Sequence, residues 1–132
     1  MRAFQTEDIG KLVLRLTLGI LLLLHGVAKI LGGVGGIAGM LQNIGLPGFL
    51  AYGVYIGEVL APLAVIAGFY ARVGAWLIAV NMLFAFGLVH AGDLVAMAGS
   101  GGGLKLEAQY MFFFTAIALA LLGPGRYAFN QR

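Results

Sequence analysis

The sequence contains no cysteine. Thiol–disulfide chemistry is therefore excluded, and so is an iron–sulfur cluster held by the protein's own thiolates. A redox role for this chain needs a bound cofactor, a quinone or a partner protein.

Charge is also scarce. Charged residues make up 10% of the 132 residues and apolar residues 61%, and the mean hydropathy is +1.00. A soluble domain of this size could not bury so much apolar surface, so lipid must act as part of the solvent. The net charge is +3, but the basic residues are scattered, which indicates membrane orientation and argues against a nucleic-acid partner. We expect a single membrane domain over residues 1–132.

The apolar residues fall into four segments of about the length that crosses a bilayer. They cover residues 9–31, 49–70, 73–91 and 106–122, and glycine- or proline-containing breaks separate most of them. The sequence therefore predicts an all-α fold, a four-helix transmembrane bundle. We expect the first helix to be retained, because no convincing signal-peptide cleavage site follows it. The apolar stretch 37–44 is too short to cross and is predicted to lie at the interface or to re-enter the membrane.

The lysines and arginines indicate the orientation of these four spans. Only Lys29 and Lys105 fall on one side of the predicted membrane. The other side holds Arg2, Lys11, Arg15, Arg72, Arg126 and Arg132. The positive-inside rule then predicts that both termini are cytoplasmic.

Glycines recur at helical spacing and predict close helix packing. Gly19, Gly26 and Gly33 are seven residues apart, and Gly53 and Gly57 form a GxxxG pair. Small residues at such spacing let membrane helices approach each other closely.

Ionisable residues from all four spans are predicted to share the outer half of the membrane. Such groups are costly in lipid, so they need partners and often mark functional sites. Glu58 is the deepest carboxylate, and we expect Lys29 or His25 to pair with it. The candidates for ligand binding or proton relay are His25, Lys29, Tyr55, Glu58, His90 and Glu107, with Arg15, Asn81, Asp93 and Tyr110 as secondary candidates.

Several of these residues also have a purely structural interpretation. Arg15 is expected to extend its side chain to the cytoplasmic surface. Glu107 could be an acid favoured in the first turn of a helix, and Asn81 could hydrogen-bond between helices. His25 and His90 could also bind haem, or a metal together with Glu58. Those motifs are generic, so haem is disfavoured and no metal is expected.

Short motifs, in this order and spacing, resemble the DoxX family over most of the chain. They are Arg15-Leu16-Thr17-Leu18-Gly19, His25-Gly26-Val27-Ala28-Lys29, Gly45-Leu46-Pro47, Gly57-Glu58-Val59-Leu60, Ala71-Arg72-Val73-Gly74-Ala75, Asn81-Met82, His90, Glu107 and Gly123-Pro124-Gly125-Arg126-Tyr127. The resemblance implies a small four-helix protein of the bacterial inner membrane. It also implies a connection with membrane-associated redox or thiol-stress complexes, and it assigns no catalytic residues.

Three functions remain open at this point. The first is a redox-associated subunit that binds a quinone or a similar lipophilic molecule. His25, Glu58 and His90 would then handle protons, and Lys29 would stabilise negative charge on a quinone oxygen. The second is a non-enzymatic assembly or scaffold subunit, and the third is a small-molecule or proton transporter. The expected partners are the lipid bilayer and either a redox complex or further copies of the chain.

Overall fold

The computed structural model describes residues 3–88 and 106–132, and all the regular secondary structure within these residues is helical. The longest helix is α1, Ala3–Gly32, and a short helix, α2, follows at Gly35–Asn43. The next segment passes through a 3₁₀ turn at Gly48–Gly53 and a π-helical turn at Ile56–Leu60 before α3, Ala61–Ala67. Helices α4, Ala71–Leu88, and α5, Glu107–Leu122, complete the described fold.

Two helical segments are long and apolar enough to cross a membrane. They are Thr6–Gly32 and the continuous run Gly48–Ala67, each with a mean hydropathy of 1.8. The apolar parts of the other two long helices are shorter, at Ala71–Gly87 and Glu107–Leu122. The predicted all-α class is thus confirmed for the described residues, whereas the predicted four-span membrane bundle stays a prediction.

The long helices pack around one apolar core, and their outer surfaces are apolar as well. Leu18, Val65, Ile78 and Leu119 are 2% exposed or less and represent the four helices that meet there. On the outside, large apolar side chains remain uncovered, among them Leu24, Phe84, Met111, Phe114 and Leu121. Helices that are apolar on all sides suit a lipid environment, because water would have to hydrate that surface at a high cost in free energy.

Helix α2 forms a small second core with the 3₁₀ turn. Its Leu41 packs with Val34 and Ala51, and Tyr55 lies against the same cluster. The apolar stretch that was predicted to lie at the interface or to re-enter is therefore helical. Its position relative to the membrane stays a prediction.

The predicted close packing at glycine is confirmed at three positions and is not observed within the described part of the chain at two. A Cβ atom on Gly19 would come within 2.5 Å of the Ile66 side chain, and a Cβ on Gly57 within 2.5 Å of Asn81. At Gly26 it would collide with the backbone carbonyl of Glu58. Among residues 3–88 and 106–132, Gly33 and Gly53 have no such neighbour within 4 Å. Gly33 lies beyond the end of α1 with a φ of 80°, so its role is the turn.

Arg15 does not extend to the surface, and this expectation was wrong. It is 1% exposed. Its guanidinium donates to the carbonyls of Val65 and Ile66 at the end of α3, and to those of Pro124 and Tyr127 beyond α5. Val65 and Ile66 lie in the last turn of α3, where helix carbonyls lack their usual helical partners, and a buried cation there complements the helix dipole.

Arg72 fixes the end of α5 in the same way. It donates to the carbonyls of Ala120 and Leu121 at 3.1 and 3.2 Å and to that of Gln131 at 3.1 Å. Together with Arg15 it ties the residues after α5 to one end of the bundle. Among the described residues, four arginines lie at this end, and they are Arg15, Arg72, Arg126 and Arg132.

Candidate functional site

The site is built on the π-helical turn at Ile56–Leu60, which contains Glu58. Pro62 lies four residues after Glu58 and has no N–H to donate to its carbonyl. The proline ring also clashes with a carbonyl in that position of a regular α-helix, so the chain widens locally. The Glu58 carbonyl instead faces Gly26 of α1, where only a glycine leaves enough room.

Both carboxylate oxygens of Glu58 are paired. Oε1 lies 2.6 Å from the Lys29 Nζ, and Oε2 accepts a hydrogen bond of 3.2 Å from the Asn81 Nδ2. The Glu58 side chain is 6% exposed and that of Lys29 is 29% exposed. A carboxylate in an apolar interior needs such partners to remain charged. Of the two predicted partners of Glu58, Lys29 is therefore the one that pairs with it.

Tyr55 connects this ion pair to the second core. Its hydroxyl donates to the backbone carbonyl of Lys29 at 3.1 Å, while its ring lies against the cluster of Leu41 and Ala51. The structure thus brings together four of the predicted residues, from α1, the π-helical turn and α4. We name them the polar network, and they are Lys29, Tyr55, Glu58 and Asn81.

His25 lies one helical turn before Lys29 on α1, and it is exposed. Its ring packs edge-on against Phe112 of α5, with 5.7 Å between the ring centroids. The two rings line an open cleft of about 280 Å³ together with Leu21, Leu24 and Ala28. Among the described residues the His25 ring has no hydrogen-bond partner. It is thus available to a molecule that enters the cleft from the side of the bundle.

The remaining candidates fall into two groups. Glu107 is the first residue of α5 and is exposed, which fits the interpretation as a first-turn acid. Tyr110 packs its ring on Phe86, with 5.0 Å between the centroids. His90 and Asp93 lie outside the described residues, and with them the haem and metal alternatives. Within residues 3–88 and 106–132, no three histidine or acidic side chains come together.

The sequence analysis did not predict the roles that three residues have in this region. Pro62 could have been recognised, because a proline four residues after a buried acid disturbs the helix at that acid. Gly26 was expected to pack against a helix, but its contact with the Glu58 carbonyl was not expected. The contact of Phe112 with His25 could not be predicted, because the two residues are distant in the sequence.

The comparisons with known proteins identify the family of this chain. The model of the DoxX family matches residues 10–91. The chain belongs to the DoxX family. All four residues of the polar network lie within the matched region, and the predicted resemblance is confirmed. The family is membrane-associated, and two helices of this member are long enough to cross a membrane.

A curated relative comes from Bacillus subtilis (strain 168), where it is described as "Putative oxidoreductase CatD". It is 34% identical over 116 residues, which cover 88% of this chain and 81% of the relative. No solved structure matches the chain.

Proposed function

We propose that this DoxX protein is a redox-associated subunit of the bacterial inner membrane that binds a quinone or a similar lipophilic carrier. The observation that carries the proposal is the partly buried pair of Lys29 and Glu58, one helical turn from the open cleft at His25. The family and the description of the Bacillus relative support a redox association. The electrons must come from a partner or a bound cofactor, because the chain has no cysteine.

The chemistry of the cleft fits a small aromatic head group. Its walls are apolar and aromatic, and one edge carries the exposed imidazole of His25. Lys29 lies one helical turn from His25 and does not line the cleft itself. Among the described residues it gives one of its three ammonium donors to Glu58, so two remain for an oxygen of a ligand that extends beyond the cleft. A bound quinone supplies the redox chemistry. In this proposal His25 exchanges a proton at the head group, and Lys29 stabilises negative charge on an oxygen.

Glu58 and Asn81 then act on Lys29 instead of on the ligand. The carboxylate accepts a hydrogen bond from the Lys29 ammonium and so holds it in position. Asn81 holds the second carboxylate oxygen, which fixes the orientation of the acid. Gly57 makes room for the Asn81 side chain.

The proposal includes a four-span, multi-pass arrangement with both termini in the cytoplasm. Arg15, Arg72, Arg126 and Arg132 lie at one end of the bundle, as the positive-inside rule requires of a cytoplasmic side. At the opposite end, the segment 33–48 that follows α1 contains no charged residue.

The experiment is lipid extraction and absorption spectroscopy on protein purified in mild detergent, for the wild type and Glu58→Gln. We expect the wild type to retain a quinone, identified by mass spectrometry of the extract. We expect the variant to lose it, because Lys29 is no longer held in place. A wild-type protein that carries only bulk phospholipid would contradict the proposal.

A second candidate function is a scaffold whose polar network only fixes the helices. It is favoured by one observation, namely that every buried side-chain nitrogen and oxygen in the described part of the chain already has a partner. In that case Glu58→Gln lowers the yield of folded protein, and any bound ligand remains unaffected.

A further inference from the structure

A second groove lies near the N-terminal end of α1, far along the helix from His25. It has a volume of about 560 Å³ and is lined by Glu7, Gly10, Lys11, Leu14 and Leu122. We call it the head-group groove. Neither the polar network nor the proposed quinone site uses any of these residues.

The lining residues are arranged by polarity along the helix axis. Leu14 and Leu122 form the apolar end, Lys11 follows about one turn further out, and Glu7 lies another turn beyond it. The two charged residues are four positions apart on one face of α1. From the membrane outward, the groove therefore presents an apolar surface, then a cation, then an anion.

Within the described part of the chain, neither Glu7 nor Lys11 forms an ion pair. Lys11 forms no ion pair with Glu7 or Asp8 there, since the ion pair in residues 3–88 and 106–132 is that of Lys29 and Glu58. Asp8 uses its carboxylate to accept the Arg126 backbone N–H at 3.1 Å. Gly125 packs against the Lys11 stem, where a Cβ would lie 3.1 Å from the Lys11 Cβ. The residues after α5 thus pack against the Lys11 side chain but provide no negative charge that pairs with its ammonium.

We propose that the head-group groove binds a phospholipid whose head group ends in a primary ammonium, of the phosphatidylethanolamine type. The acyl chains would lie along Leu14 and Leu122, the phosphate at Lys11 and the ammonium at Glu7. A phospholipid presents these three groups in the same order from the bilayer centre outward. An anionic head group without the ammonium would leave Glu7 unpaired and close to its negative charge.

Native mass spectrometry of delipidated protein in mild detergent tests the proposal. The protein is titrated with phosphatidylethanolamine, phosphatidylcholine and phosphatidylglycerol that carry the same acyl chains. We expect the ethanolamine lipid to bind about twofold to fivefold more tightly than the other two, which is the range of a partly exposed ion pair. Choline can be attracted to Glu7 but has no N–H to donate to it.

Substitutions at Lys11 and at Glu7 distinguish the contributions of the two charges to lipid binding. Lys11→Gln should weaken the binding of all three lipids, whereas Lys11→Arg should retain it. Glu7→Gln should remove the preference for ethanolamine, and Glu7→Asp should keep part of it. Arg132→Gln removes an exposed cation that lines no part of the groove, so it serves as the matched control.

The result that overturns the proposal is equal binding of the three lipids by the wild type, or a preference that Glu7→Gln leaves unchanged. Tighter binding of phosphatidylglycerol by the wild type would also overturn it, because the groove would then recognise negative charge alone. Quinone retention is measured separately, so the failure of one proposal is distinguishable from the failure of the other.

Discussion

At the scale of single residues, Lys29 and Glu58 are not equivalent partners. The Glu58 side chain is 6% exposed and that of Lys29 is 29% exposed. Removal of the lysine therefore leaves a carboxylate in an apolar interior with Asn81 as its remaining partner. Removal of the acid leaves a long cation that can reach more polar surroundings.

We predict that Lys29→Met destabilises the protein more than Glu58→Gln does. The expected losses are about 3 kcal/mol and about 1 kcal/mol, because the uncompensated buried charge is the larger penalty. The double variant should lose less than the sum of the two single variants. Thermal unfolding in mild detergent measures all three, and strictly additive losses would show that the two side chains are not coupled.

Arg15 offers a second test at this scale. Its planar guanidinium donates to four backbone carbonyls, which a lysine ammonium cannot reach from one point. We predict that Arg15→Lys lowers the free energy of unfolding by about 2 kcal/mol. Arg126 is exposed, so the matched change Arg126→Lys should stay within about 0.5 kcal/mol. Equal effects in the same unfolding assay would contradict the assigned role of Arg15.

The hydrogen-bond acceptors of Arg15 could not be predicted from the sequence. Its charge and depth were evident, but its acceptors at Val65 and Pro124 lie 50 and 109 residues away along the chain. The hydropathy of a segment does not determine which helix ends pack against each other. The pairing of Lys29 with Glu58 was predictable, because a buried acid needs a cation and the sequence offers few.

At the scale of elements, the helix that contains Glu58 departs from the regular span predicted over residues 49–70. It begins as a 3₁₀ turn, widens into a π-helical turn and becomes α-helical at Ala61. Hydropathy predicts that a segment is helical, but it does not report the type of turn. Pro62 is the residue that sets the change, since its ring cannot lie over the Glu58 carbonyl of a regular helix.

The contact of α1 with this widened turn gives a prediction with a control on the same helix. A Cβ at Gly26 would collide with the Glu58 backbone carbonyl, whereas a Cβ at Gly10 would meet no atom of the described residues within 4 Å. We predict that Gly26→Ala destabilises the protein by about 2 kcal/mol, because two backbones must separate. Gly10→Ala should be neutral or stabilise by up to about 1 kcal/mol, through helix propensity. Similar unfolding midpoints for the two variants would contradict the close approach.

At the scale of the whole molecule, the distribution of charge leads to a prediction of topology. The sequence has no cysteine, so single cysteines can be introduced without further changes. Gly36, at the start of α2, and Gln131, near the C-terminus, are both exposed. A membrane-impermeant maleimide added to spheroplasts should label Gly36→Cys and leave Gln131→Cys unlabelled until the cells are lysed. The opposite pattern would place the arginine-rich end of the bundle outside.

The sequence predicted the helical class, the family and the four residues that form the polar network. Hydropathy indicated the helices, the scarce charges indicated the polar residues, and the order and spacing of short motifs indicated the family. It did not predict the cleft at His25, which depends on Phe112 from a distant helix. Contacts between distant helices depend on how whole helices pack, and local sequence signals do not predict that packing.

The measurement that tests the central claim most directly is the binding of a short-chain quinone to the wild type and to His25→Ala. His25 is exposed and contacts Phe112 at the surface of the cleft, so the substitution should leave the fold intact. Leu31→Ala, at a side chain that is 83% exposed and does not line the cleft, is the matched control. We predict that His25→Ala weakens binding about tenfold, the effect of losing one hydrogen bond of about 1.4 kcal/mol, and that the control binds normally. Equal affinities in all three proteins, with normal unfolding midpoints, would contradict a quinone site at this cleft.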